Sequence, residues 1–401
     1  MIIKGRIDNI FLLGIVLLLP LFFQLMKMLF EEKSTIFTVL TYLIVLLVII
    51  IKKRKISISD LIILVVMYSF FGLNYLIFPE TRYYFTHGEM TSVFVFFVPI
   101  SVLLVRHIEN WYLFDDVNYP LSLIAIVFGL IISINRVGHS IHYMEFSYAM
   151  LPFLIIIYLR IRKAKSLLSI IVFFIGLIEI ISFGARAPII ILAFYIIAFE
   201  AIRTDTKRNT KLLVMTSILI CSVIILFFSD FIVLKLSELS LFKNSYFLWN
   251  LQRGRLLEDS SRDAISLSCI SRLRSMGIEV TGIFGDRRYC AGVYPHNIVF
   301  EILMSFGWIF GVPTLLFLFW IIIKPLLNKS TREVTLFLIA ALFLRYFVSG
   351  SYIIEGKFWI FLFAIISIHR SNIYGGKQSD FIENNTTLPN VFYSARRVNR
   401  I

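Results

Sequence analysis

Charge is scarce in this chain. Asp, Glu, Lys and Arg make up 16% of its 401 residues, whereas 59% are hydrophobic, 40 are Phe and the mean hydropathy is +0.86. Too few polar side chains remain to cover a water-soluble globule of this size. Acidic residues are scarcer than basic ones, 25 against 39, for a net charge of +14. The cations sit in short clusters between apolar runs, without a basic domain of interleaved aromatics, which argues for topology signals and against nucleic acid. There are only three cysteines. Cys221 falls in an apolar run, and Cys269 and Cys290 share one long polar segment. A disulfide between those two in an oxidising compartment and a pair of independent thiols are both open readings, because sequence does not bring two Cα atoms within the required ~7 Å. Also missing are a glycine-rich phosphate loop, a nucleophile elbow and an Asp-x-Asp pair; Asp115-Asp116 is adjacent, so its carboxylates diverge. Nucleotide chemistry on a cytoplasmic face is therefore not expected. No internal repeat stands out.

Long apolar runs are abundant. Stretches able to cross roughly 30 Å of hydrocarbon fall near residues 9–29, 35–51, 59–78, 91–105, 120–134, 147–161, 167–183, 188–202, 212–230, 297–323, 333–350 and 358–369. The expected fold is an all-α integral membrane protein of about twelve transmembrane helices. Basic clusters at Lys52-Lys53-Arg54-Lys55, Arg160 to Lys165, Arg203 to Lys211 and Lys324 to Arg332 follow the second, sixth, eighth and tenth runs. That spacing puts both termini in the cytoplasm by the positive-inside rule. The first run directly follows Lys4 and Arg6, is of spanning length and lacks a small-residue cleavage site, so it reads as a retained anchor. The chain divides into helices over 1–230, an extracytoplasmic and partly helical loop over 231–296, helices over 297–370, and a disordered cytoplasmic tail over 371–401.

Polar residues of interest lie on the outer side of this scheme. His139-x-x-His142-x-x-Glu145 has metal-ligand spacing if helical, but an interfacial cluster beside Tyr143 and Tyr148 is the simpler account. In Ser182-Phe183-Gly184-Ala185-Arg186-Ala187-Pro188, a tight outer turn holds Arg186 near a helix start, with Pro188 in the first turn. Ser260 or Ser261 can cap a helix carrying Leu267, Ile270 and Leu273, from whose start Arg262 projects. Arg253, Arg255, Arg272, Arg274, Arg287 and Arg288 lie among Glu258, Asp259, Asp263, Glu279 and Asp286, a pattern that reads mostly as a solvated mixed surface. Arg345 lies inside an apolar run, so it should face the bundle interior, where Glu179, Glu301 or Glu355 could neutralise it. Tyr352, Glu355 and Lys357 on the last outer turn suit either a cavity lining or a membrane interface.

The arginine in Phe183-Gly184-Ala185-Arg186-Ala187, the Ser261-Arg262 pair, Gly282-Ile283-Phe284-Gly285, and His296-Asn297-Ile298-Val299-Phe300-Glu301 followed by Gly307 and Gly311 occur in one order. In that order the chain resembles the O-antigen polymerase and O-antigen ligase superfamily over about residues 180–312. It has Gly-Ala-Arg-Ala-Pro where many members have Ser-Arg-Gly or Thr-Arg-Ala, and its outer loop is short. The resemblance implies a GT-C-like glycosyltransferase of the bacterial cytoplasmic (inner) membrane, with its active site on the periplasmic face. It would move a glycan from a polyprenyl pyrophosphate carrier to another lipid-linked repeat unit, as an O-antigen polymerase. Transfer to lipid A core by a ligase is the first alternative, and transport by a flippase the second. It further implies the lipid-linked donor and acceptor and membrane lipid as partners, and a chain-length regulator protein as a candidate partner. No cofactor is expected, and because the outer face has no acidic metal cluster the transfer is expected to need no metal. By the same resemblance, Arg186 and Arg262 would bind the departing pyrophosphate through their planar forks. His296 would be the base that takes the acceptor proton, and Asn297, Glu301 and Arg345 would line the substrate site.

Overall fold

The computed structural model describes residues 2–30, 34–53, 56–86, 90–135, 143–183, 185–203, 216, 235, 262–276, 279–290 and 292–385. Apart from residues 216 and 235, the expected ninth span and the part of the long loop before Arg262 lie outside them, as do His139, His142 and the tail beyond residue 385.

Among the described residues every regular element is helical. Six helices are long and apolar enough to cross a membrane: Asp8–Phe30, Thr35–Lys53, Ile58–Ile77, Trp111–Asn135, Tyr143–Ala164 and Ile298–Leu327. Val93–His107 and Leu167–Phe183 are shorter apolar helices, and Arg186–Ile202, Arg332–Leu338 and Gly356–Asn385 complete the bundle. The chain is an all-helical membrane protein. Within a bilayer this outcome is forced, since helices alone satisfy each segment's backbone groups internally when no water is present.

The core lies around Tyr143–Ala164, which is buried continuously from Phe146 to Leu159. Helices Ser34–Lys53 and Ile58–Ile77 instead expose Leu40, Ile44, Leu47, Ile62, Val65 and Val66. Large apolar side chains left uncovered along two neighbouring helices are a lipid-facing periphery. Close packing in the core is visible at Gly14, where a Cβ would lie 1.8 Å from Asn118 Oδ1. The Asn118 amide donates to the Ile10 and Phe114 carbonyls at 3.3 and 2.9 Å.

Ion pairs mark one end of the bundle. Buried Asp60 meets Lys53, Arg106 and His107, and Asp60 also completes a capping box with Ser57. Arg162 pairs with Glu200 at 2.6 Å and Lys163 with Asp115 at 2.6 Å. The residues of the candidate site gather at the opposite end.

Two expected spans are not regular α-helices. Val93–Phe97 is a π-helical turn leading into Val98–Leu103, and Arg332–Leu338 passes through a π turn at Ile339–Phe343 into a 3-10 turn at Leu344–Phe347. Gly307, at φ 65° and ψ −177°, breaks Ile298–Leu327 into two pieces. Carbonyls freed by the break are satisfied from the loop: Thr281 Oγ1 donates to Met304 O at 2.5 Å, and the Thr281 and Gly282 amides donate to Ser305 O at 3.2 and 2.9 Å. The Ile283 amide donates to Asn74 Oδ1 at 2.7 Å. Residues 281–283 are thus clamped between two spans. Cys269 and Cys290 are joined as a disulfide with Cα atoms 5.7 Å apart, tying Arg262–Met276 to the turn after Gly285–Tyr289. The last helix is described as far as Asn385, and the rest of the expected tail lies outside the described residues. A helix already nucleated in a packed span extends at little cost per residue, which polar composition alone does not reveal.

Candidate functional site

At the end of the bundle opposite Asp60, a cavity of about 610 Å³ opens between the first helix and the last outer turn. One wall is apolar, with Val16, Leu17, Pro20 and Phe23 from the first helix, Tyr42 from the second and Ile360 from the last. The rim is charged, with Lys27, Arg345 and Lys357 facing Glu145 and Glu355. Helical periodicity brings Pro20, Phe23, Gln24 and Lys27 to one face, so a single helix supplies both the apolar wall and a cation at its mouth. Formal charges give three cations against two carboxylates.

Arg345 is the best-held cation of the rim. Its Nη2 lies 2.8 Å from Glu355 Oε1, and its guanidinium sits 4.5 Å from the Tyr148 ring centre and 5.7 Å from that of Tyr346. Of the three carboxylates weighed from sequence, Glu355 is thus the partner. Glu179 is buried with no hydrogen-bond partner for either oxygen among the described residues, and Glu301 is engaged elsewhere. Burial pushes the Glu355 carboxyl above the usual carboxylate range, opposed by Arg345 and Lys357. Lys357 Nζ donates to the Tyr148 carbonyl at 2.8 Å. A cavity with an apolar lane and a fixed guanidinium at its mouth can hold an amphiphilic anion.

Behind the rim lies a second, fully buried network. Arg287 is 2% exposed, and its Nη1 is 2.7 Å from Asp286 Oδ2 and 3.5 Å from Glu301 Oε1. Arg287 Nη2 donates to Ser351 Oγ at 3.2 Å, Ser351 Oγ donates in turn to Glu301, and the Tyr352 amide donates to Glu301 Oε2 at 3.3 Å. Burial pushes the Asp286 carboxyl upward, with Arg287 opposing. The expectation of a solvated mixed surface therefore fails at Asp286 and Arg287. The short loop folds inward onto Glu301, whose side chain would otherwise be an uncompensated buried charge.

The residues expected from sequence fall in different places. His296 adopts φ 55°, and its ring meets that of Tyr294 edge-on at 4.3 Å. Tyr294 lines the cavity and His296 does not, so one ring separates the expected base from it. Asn297 caps the next helix, accepting from the Val299 amide at 2.9 Å, and its amide donates to Phe347 O at 3.4 Å. Arg186 opens the helix Arg186–Ile202 and is half-buried away from the cavity lining. Arg262 opens its helix, and its side chain lies outside the described residues. Of the last outer turn, Glu355 and Lys357 line the cavity and Tyr352 is buried. Lys27 escaped the sequence reading, although its seven-residue spacing from Pro20 was a usable signal. Glu145 lines the cavity, and His139 and His142 lie outside the described residues. Among the described residues no group of three or more His, Cys, Asp or Glu side chains is placed to hold a metal ion. No protein family model, curated protein or solved structure matches this chain.

Proposed function

We propose that this protein is a polymerase of O-antigen or a related surface polysaccharide, a GT-C-like glycosyltransferase of about twelve spans in the bacterial inner membrane. The observation that carries the reading is the cavity, because its apolar wall and cationic rim match a long isoprenoid tail joined to a pyrophosphate. Basic clusters at the Asp60 end support a cytoplasmic assignment for that end by the positive-inside rule, and with it a periplasmic opening for the cavity. No nucleotide triphosphate is at hand there, and the sugar–pyrophosphate bond supplies the driving force.

In the reaction, the acceptor hydroxyl oxygen bonds to the anomeric carbon as the bond from that carbon to the pyrophosphate oxygen breaks. The electron pair leaves with the lipid pyrophosphate, whose added charge Arg345, Lys357 and Lys27 stabilise where it develops. Arg186 and Arg262 are assigned to the same anion on the resemblance described above. On the same resemblance the hydroxyl proton is assigned to His296, the side chain whose ordinary pKa lies nearest neutrality, and its ring packs edge-on against the cavity-lining Tyr294.

Gene deletion followed by gel analysis of surface glycan tests the reading. Loss of a polymerase leaves a single repeat on core, and bare core would instead indicate a ligase. In proteoliposomes with lipid-linked repeat units, movement across the bilayer without longer glycans would indicate a flippase.

A further inference from the structure

A second, smaller recess lies on the far side of the Arg287 network. It has a volume of about 310 Å³ and is formed by the turn after Ile58–Ile77 and by the loop and short helix over 279–289. Its charged groups are Glu80, Glu279 and Arg288, and its aromatic walls include Tyr84 and Tyr289. Glu80, Glu279 and Arg288 are exposed, whereas both tyrosines are half-buried and fixed by neighbours. The Tyr84 ring lies 5.5 Å from that of Phe284, and Arg272 covers Tyr289 at 3.9 Å.

Charge tells against an anionic occupant. Arg272 already pairs with Glu279 at 2.9 Å, so the remaining formal charges, Glu80 and Arg288, cancel. A pyrophosphate would prefer the cationic cavity, and a cation would find no net negative charge in the recess. Carboxylates and a guanidinium accept from and donate to hydroxyls, and tyrosine faces pack against apolar C–H surfaces. An uncharged, hydroxyl-rich ring is the ligand that uses all of these at once.

Position supports the same ligand. Arg287 is approached from the recess by Phe284 at 4.7 Å and Tyr84 at 5.8 Å, and from the cavity by Tyr294 at 5.5 Å. The recess and the cavity thus share one wall. We propose that the recess bounded by Glu80, Tyr84, Glu279, Arg288 and Tyr289 is a saccharide subsite that holds uncharged sugar of the substrate glycan beside the lipid-pyrophosphate cavity. This inference rests on the functional reading given above.

The full-length protein in detergent is tested by saturation-transfer NMR with the free oligosaccharide released by mild acid from the lipid-linked repeat unit. Binding of polyprenyl pyrophosphate is measured in parallel. In the doubly substituted protein Glu80→Gln with Arg288→Gln, both positions being exposed, saccharide affinity should fall about tenfold, as expected for loss of charge-assisted hydrogen bonds. Polyprenyl pyrophosphate binding and melting temperature should be unchanged. A second arm uses the intact lipid-linked repeat, whose binding should weaken in the double variant in parallel with that of the free oligosaccharide. No saccharide binding to the wild type, or equal binding of both forms to wild type and double variant, overturns the inference. If polyprenyl pyrophosphate itself fails to bind, it is the functional reading that falls.

Discussion

Replacing Arg287 with Met removes the one cation that Asp286 and Glu301 share. All three residues are at most 2% exposed, so no water can replace the guanidinium. Removing one member of a buried ion pair costs about 3–5 kcal/mol, most of it the uncompensated charge left behind. At an unfolding entropy of about 2 cal/mol/K per residue, a chain of 401 residues has roughly 0.8 kcal/mol/K, so the melting temperature should drop by about 4–6 °C. The triple variant Asp286→Asn, Arg287→Met, Glu301→Gln carries no buried charge in this network and should recover most of the loss. Fluorescence-monitored melting of purified protein in detergent measures both. An Arg287→Met protein that melts with the wild type, or a triple variant less stable than the single one, would refute the network as described.

Gly307 holds a backbone conformation reserved for glycine, so Gly307→Ala should cost about 1–3 kcal/mol. The same change should raise proteolysis of the 281–290 loop docked on Met304 and Ser305. Asp286 has a folded-state pKa raised by burial, so the folded protein binds this proton more tightly than the unfolded chain. Its contribution to stability should therefore decline as pH rises from the unfolded carboxyl value of about 3.9 toward the raised folded value. Asp286→Asn should flatten that part of the melting-temperature profile, and an unchanged slope would count against it. Arg345→Lys keeps a charge but loses the planar fork, so polyprenyl pyrophosphate affinity should fall by about tenfold. Lys357→Gln should weaken the same binding in a fluorescence titration.

Hydropathy made most of the membrane-spanning framework legible, because a bilayer permits few alternatives to a helix over a long apolar run. It did not reveal the π and 3-10 turns at Val93–Phe97, Ile339–Phe343 and Leu344–Phe347, since a shift of hydrogen-bond register leaves apolar composition unchanged. Arg345 was legible as an interior cation because charge within an apolar run needs a partner, but choosing Glu355 over Glu179 required the turn at Ser349 to Glu355. Arg287 was not legible: Asp286-Arg287-Arg288 mixes signs like a solvated surface, and its partners Glu301 and Ser351 come from distant segments. The disulfide between Cys269 and Cys290 likewise depends on how the loop folds over Ile298–Leu327.

The central claim, that the cavity between the first helix and the last outer turn receives a polyprenyl pyrophosphate, is most directly tested by photo-crosslinking. A polyprenyl pyrophosphate with a benzophenone near its head is irradiated with the protein in lipid nanodiscs, and the labelled peptides are identified by mass spectrometry. Adducts should concentrate on residues 16–27 and 354–360, disappear with excess unlabelled polyprenyl pyrophosphate, and persist with excess polyprenol. Label spread over the lipid-facing helices Ser34–Lys53 and Ile58–Ile77, or equal competition by polyprenol, would contradict the account.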